Sequence, residues 1–154
     1  MKIIRQKKDL YSIINKINCL SFIPTMGALH KGHELLIKKA KKKNKFTIVS
    51  IFINPKQFNS KADFNTYPKN LKKDLKILKR LKVKYVFLPN YDDIFSFKTK
   101  NKIYLHPFSN KLCGKFRPGH FKGVIDVVNR LLELIKPKYI FLGKKDFQQL
   151  FLIK

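Results

Sequence analysis

Two histidines, His30 and His33, stand three residues apart in the stretch PTMGALHKGHELL (residues 24–36), which also carries Gly27 and Gly32. An apolar run over 19–23 precedes them and a lysine-rich helical pattern follows, so the imidazoles fall where a strand turns into a helix. A helix start presents unpaired N–H groups and the positive end of the helix dipole, and phosphate groups bind there readily. In an open parallel sheet that point also lies beyond the carboxyl end of a strand, where ligands collect. Glycines let a ligand approach the backbone, and imidazoles add N–H donors that can hold or release a proton near neutral pH. The same pair serves equally well as surface residues, or with one as a hydrogen-bonded core histidine. No carboxylate or cysteine completes a zinc ligand set at motif spacing, and no metal site is predicted.

Periodicity locates the strands and helices around this stretch. Residues 20–24 (LSFIP) read as a short buried strand. A helix is predicted over 32–43, with Leu35, Leu36 and Ala40 on its apolar side. Residues 46–53 (FTIVSIFI) read as a central strand, ended by Asn54-Pro55 and followed by a polar loop to Tyr67. Pro68 suits the first turn of a helix to about Leu81, its apolar face made by Leu71, Leu75 and Leu78. Residues 84–88 (KYVFL) form a third strand, and KIYLHPF (102–108) an additional short one. A helix over 119–136 turns Val124, Val127, Val128, Leu131 and Leu134 inward. Residues 139–142 (YIFL) make a fourth strand, after which Asp146 caps a last helix. Strands alternating with helices predict an α/β fold, a Rossmann-like doubly wound parallel sheet.

The chain has 154 residues and a formal net charge of +26. Such a charge suggests nucleic acid, but only four of the 35 basic residues are arginine (Arg5, Arg80, Arg117 and Arg130). Base readout and bidentate phosphate recognition favour arginine. The lysines are spread through every segment, and the run from Lys38 to Lys43 reads as a solvated helix face. No specific nucleic-acid partner is predicted. No apolar run is long enough to span a membrane, and the start MKIIRQKKDLYSII is too polar for a secretion signal. The two cysteines, Cys19 and Cys113, form no metal-type cluster and fit a reducing cytoplasm.

At this point the strings carry a resemblance. HKGH after a first strand resembles the H-x-G-H signature of the nucleotidyltransferase superfamily. PTMGALHKGHELL, SIFINPKQF (50–58), DFNTYPKNLKKDL (63–75), LCGKFRPGHFKGV (112–124) and FLGKKDFQQL (141–150) together resemble the pantothenate synthetase (pantoate–β-alanine ligase) family along the whole chain. The resemblance implies that pantoate and ATP, with Mg²⁺ on the phosphates, give pantoyl adenylate and pyrophosphate. The amine of β-alanine then takes the acyl group and releases AMP. No tightly bound organic cofactor is implied, and catalysis should be positioning plus electrostatics.

Residue roles carry over on the matching strings. Met26, Gly27, Ala28, Leu29, His30, Lys31, Gly32 and His33 resemble an ATP-binding segment, with His33 as proton donor and His30 its partner at the phosphates. Gly143, Lys144, Lys145 and Asp146 resemble a second ATP-binding stretch, Lys145 on phosphate oxygens and Asp146 on the ribose. Gln57 matches a contact to pantoate and β-alanine, and Gln149 a second pantoate contact. Arg117 and His120 of RPGH stay outside the catalytic set, and Asp74 is read as a helix-surface residue rather than a magnesium ligand. Lys144 stands where the family usually has an acidic residue. The family continues into a C-terminal lid domain with a Ser-Ser-Arg segment, so residues 1–154 are expected to be a nucleotide- and pantoate-binding N-terminal domain, truncated and poorly active alone. A homodimer is implied by the same resemblance. Alternatives are another H-x-G-H nucleotidyltransferase, such as a phosphopantetheine adenylyltransferase, an inactive remnant, and a basic RNA-binding module.

Overall fold

Short runs of Val, Ile and Phe suit strands buried on both faces. In the computed structural model of the chain, which describes residues 1–153, such runs build a five-stranded parallel sheet. In chain order the elements are β1 (Lys2–Ile4), α1 (Lys7–Ile14), β2 (Ser21–Thr25), α2 (Lys31–Lys43), β3 (Thr47–Ile51), α3 (Lys61–Thr66), α4 (Leu71–Arg80), β4 (Tyr85–Phe87), α5 (Tyr91–Phe95), α6 (Cys113–Phe116), α7 (His120–Ile135), β5 (Tyr139–Ile140) and α8 (Phe147–Ile153). The spatial order is β1-β4-β3-β2-β5. Register aligns Phe22 with Ile48 and Tyr85, and Ile23 with Val49 and Val86.

Successive strand residues point to opposite faces, and each face has its own core. Phe22, Ile48 and Phe87 pack with Leu10, Ile13 and Ile14 of α1, Ile94 of α5 and the apolar stripe of α7. Ile23, Val49 and Val86 pack with Ile37 and Ala40 of α2 and Leu78 of α4. The α/β expectation therefore holds, as three layers with the sheet in the middle. The five residues of α7 predicted to face inward are all buried.

Several details differ from the sequence reading. The first fourteen residues, given no element, form β1 and α1; a three-residue edge strand with one buried side chain, Ile4, has no alternation to read. The polar stretch before Tyr67 contains α3, capped by Ser60, whose Oγ accepts from Asp63 N at 3.1 Å. Residues 102–106 form no strand, and a 3₁₀ turn follows at Pro107–Asn110, consistent with proline's missing N–H. Helix α4 starts after Asn70, whose Oδ1 accepts from Lys73 N at 3.0 Å, so Pro68 lies outside it. Leu71 is exposed there, whereas Asp74 and Leu78 are buried and Leu75 packs half-buried against the core. On α2, Leu35 is 59% exposed instead of inward. Asp146 immediately precedes α8 and its carbonyl accepts from Leu150 N at 2.9 Å. Among the described residues no helix is long and apolar enough to cross a membrane.

Candidate active site

From β2 the chain moves through β3 to β4, whereas β5 lies on the other side of β2. The strand order thus reverses between β2 and β5, and a crevice opens at their carboxyl ends. A cavity of about 650 Å³ occupies it. Met26, Gly27, His30, Gly32 and His33 line it from the β2–α2 loop, and residues 141–146 with Gln149 from the β5–α8 side. Gln57 and Tyr67 reach it beyond β3. Ala28, Leu29 and Lys31, expected in the same ATP segment, do not line it. A neighbouring hollow of about 660 Å³ on edge strand β5 shares Lys39 and Phe141 but holds none of the candidate residues.

The loop is shaped from within. Thr25 Oγ1 donates to Ser50 O at 2.7 Å and accepts from Gly27 N at 3.2 Å, tying the end of β2 to β3. Gly27 has φ +80°, and a Cβ there would meet Asp74 Oδ2 at 2.9 Å, so the position requires glycine. Next, His30 becomes the N-cap of α2: its Nδ1 accepts from Gly32 N at 3.0 Å. The His30 N–H in turn donates to His33 Nδ1 at 3.4 Å. A side chain on Gly32 would sit 2.8 Å from His30 Cε1. The glycine between the histidines therefore gives the first ring room to fold over the helix start.

This arrangement fixes tautomers. Both Nδ1 atoms act as acceptors, so each neutral ring carries its proton on Nε2, the nitrogen left for a ligand. The ring centroids lie 4.1 Å apart, a separation that disfavours two positive charges. His33 titrates below its ordinary range, chiefly through burial and then through His30; Asp74 and Asp146 pull the other way. At neutral pH His33 is thus a hydrogen-bond donor without charge.

Gln57 is buried, contrary to a solvated-loop position. It ends the 3₁₀ turn Pro55–Gln57, whose Asn54 cap accepts from Lys56 N at 3.1 Å and donates through Nδ2 to Gly123 O at 2.9 Å. His120 donates from Nδ1 to Gln57 O at 2.7 Å, while Arg117 donates to its Nε2 at 3.2 Å. Burial, with Arg117 adding to it, lowers the His120 pKa, against the raising effect of the bond to Gln57. Asn54, bonded to α7 through Gly123 O, and His120 of α7 thus hold Gln57 in place. The Gln57 amide Nε2 faces a thioether in the cleft, Met26 Sδ at 2.8 Å. A thioether is a weak acceptor, so this amide can exchange it for a ligand oxygen.

The two glutamines on α8 divide. Gln148 is buried and donates to Phe108 O (2.9 Å) and Lys111 O (2.7 Å), whereas Gln149 lines the cavity. Lys144, Lys145 and Asp146 are exposed at its mouth. Phe52, Val124, Val127, Val128 and Leu131 make an apolar wall that sequence reasoning assigned to core alone. Leu35 and Leu36, displaced from the expected core, also face the cavity. Asp74, read as a surface residue, is 2% exposed. Its Oδ2 accepts from Ala28 N at 3.0 Å and its Oδ1 from Leu29 N at 2.8 Å.

Comparison with known proteins adds to this geometry. The family model described as "Pantoate-beta-alanine ligase" matches residues 2–154. A pantothenate synthetase of Francisella tularensis subsp. novicida is 48% identical over 153 residues, covering 96% of this chain and 58% of its own length. The crystal structure of a pantoate-beta-alanine ligase from Francisella tularensis, complexed with beta-gamma ATP and beta-alanine, superposes with a TM-score of 0.93 at 46% identity, covering 99% of this chain and 60% of that one. A pantothenate synthetase structure from Thermus thermophilus gives a TM-score of 0.90 at 34% identity, covering 99% of this chain and 55% of that one. The chain therefore spans somewhat more than half the length of these relatives.

Proposed function

The chain belongs to the pantoate-beta-alanine ligase family, and from that premise we propose that it supplies the nucleotide- and pantoate-binding part of an enzyme that joins pantoate to β-alanine at the expense of ATP. The observation that carries this reading is the convergence of His30, His33, Gln57, residues 143–146 and Gln149 on one cavity at the switch point of the sheet.

In this reading a pantoate carboxylate oxygen attacks the α-phosphorus of ATP. The bond to pyrophosphate breaks and pantoyl adenylate forms. The β-alanine amine then attacks the acyl carbon, loses a proton, and AMP departs with the electron pair of the acyl C–O bond. The substrate supplies the nucleophile in both steps, so the protein's work is orientation and charge stabilisation. His30 and His33 offer Nε2–H donors to phosphate oxygens. Lys145 adds positive charge at the phosphates, Lys144 a second amine, and Asp146 an acceptor for ribose hydroxyls. Gln57 and Gln149 address the hydroxyl and carboxylate of pantoate, with Gln57 also near β-alanine. The wall of Phe52 and the α7 valines suits the branched carbon skeleton.

Mg²⁺ enters as part of the nucleotide substrate. Among the described residues no group of three His, Cys, Asp or Glu is placed to hold a metal ion. That donor set fits an ion carried by phosphate oxygens and water. The family reading also supports a cytoplasmic homodimer.

Calorimetric titration tests the proposal. The chain should bind Mg·ATP and, separately, pantoate. The His30→Ala/His33→Ala double variant should lose at least tenfold in ATP affinity while retaining pantoate binding. Unchanged ATP affinity in the double variant would remove the imidazoles from the site.

A further inference from the structure

We propose that Asp74 is the positioning residue of the nucleotide loop: from α4 its carboxylate holds the backbone of Ala28 and Leu29 and so sets where His30 and His33 present themselves. The inference rests on the nucleotide reading above and assigns a role to a side chain outside the cavity lining.

Gly27 and Ala28 are consecutive left-handed residues, φ +80° and +50°. Successive N–H groups in such a turn form a concavity that attracts anions. Here the anion is the protein's own. Asp74 is buried, and each carboxylate oxygen takes one amide, Ala28 N at 3.0 Å and Leu29 N at 2.8 Å. Gly27 gives Oδ2 the room it needs, since a Cβ would lie 2.9 Å away. The left-handed Ala28 is intrinsically unfavourable, and two charge-assisted bonds offset its cost.

Two consequences follow for a bound nucleotide. The loop amides most suited to phosphate are already occupied, so phosphate oxygens are directed to the imidazoles that come next in the chain. And because Leu29 adjoins the His30 cap, a shift of the pinned amides is passed to the start of α2. Asp74 also acts on His33 through space, raising its basicity together with Asp146, while burial and His30 lower it.

The test is Asp74→Asn in the 154-residue chain. Asparagine keeps the shape and one acceptor, but its NH₂ faces an amide donor in place of the second. Mg·ATP affinity should fall about tenfold, about 1.4 kcal/mol, at a temperature where the variant is fully folded. Hydrogen exchange at Ala28 or Leu29 should accelerate at least tenfold, and the His33 titration should move to lower pH. Asp93→Asn is the control: Asp93 is a comparably buried carboxylate, bonded to Asn90 N at 3.1 Å in a capping box away from the cavity. It should lower Tm without changing affinity.

A D74N variant that melts earlier yet binds ATP within twofold of the parent overturns the proposal, because Asp74 would then resemble Asp93. Should D74N not fold, Asp74→Ser is read by the same criteria. If the parent chain itself fails to bind ATP, the nucleotide reading falls, and the proposal falls with it as a ligand-positioning role. The amide exchange and the His33 titration then show whether Asp74 still holds the loop.

Discussion

The two segments facing each other across the cleft are built by opposite means. The β2–α2 loop is pinned at nearly every residue. Thr25 ties it to β3, Asp74 takes two amides, and the His30 and His33 rings accept from Gly32 N and His30 N. The β5–α8 segment is held at its ends, where Phe141 N donates to Phe22 O at 2.9 Å and Leu150 N to Asp146 O at 2.9 Å, and its polar residues Lys144, Lys145 and Asp146 stand in solvent. Even the glycines differ. Gly27 is held to glycine by its left-handed φ and by Asp74, and a Cβ on Gly32 would push against the His30 ring, whereas a Cβ on Gly143 would meet nothing nearer than Leu36 Cδ1 at 4.0 Å. One side of the site is preorganised, so its donors lose little freedom on binding; the other offers long charged side chains that must be ordered by the ligand.

Substitutions at these glycines should have unequal effects on the two segments. Gly27→Ala forces a methyl against Asp74 and Ile51 in a left-handed turn. It should destabilise the chain by about 2 kcal/mol, lowering Tm by roughly 4–8 °C. Gly32→Ala displaces the His30 ring and not the backbone. The expected loss is about 1 kcal/mol of capping energy, with ATP affinity falling more than that stability loss alone would produce. Thermal melting and nucleotide titration on the same samples separate the two effects.

Acid sharpens the contrast. His33 and His120, which hold the loop and Gln57, both titrate below their unfolded value of about 6.5. The unfolded chain therefore binds more protons just below that pH, and stability should fall as pH drops through about 6.5 toward the lowered native values. Protonated His120 would also set a second N–H against Arg117. Melting temperatures between about pH 7.5 and 5 should show the loss, and His120→Gln should reduce its slope. Smallest of all is the effect of Gly143→Ala, whose Tm should stay within roughly 2 °C of the parent.

What could be read from the sequence follows the same division. β2, β3, β4 and α7 carry periodic apolar residues and were legible, as was the placement of HKGH between strand and helix. Gln57 and Gln149 were singled out only by resemblance, and both line the cavity; helix phase explains why Gln149 and not Gln148 faces it. What stayed hidden depends on contacts between distant segments. Asp74 looks like any polar helix residue until α4 is packed under the loop. His120 looks like part of a helix start until Gln57 O is brought to its ring. β1, α3 and α5 are too short for periodicity, and α3 and α5 are marked chiefly by their caps, Ser60 and Asn90.

In the proposed function, nucleotide phosphates lie at the start of α2 against the two imidazoles. Amide and imidazole NMR shifts recorded while Mg·ATP is added to the ¹⁵N-labelled chain test it most directly. The largest changes should fall at residues 26–33, including the His30 and His33 ring nitrogens, with smaller ones at 143–146. Shifts centred elsewhere, such as the lysine-lined hollow beside β5, with the His30 and His33 rings unmoved, would contradict it.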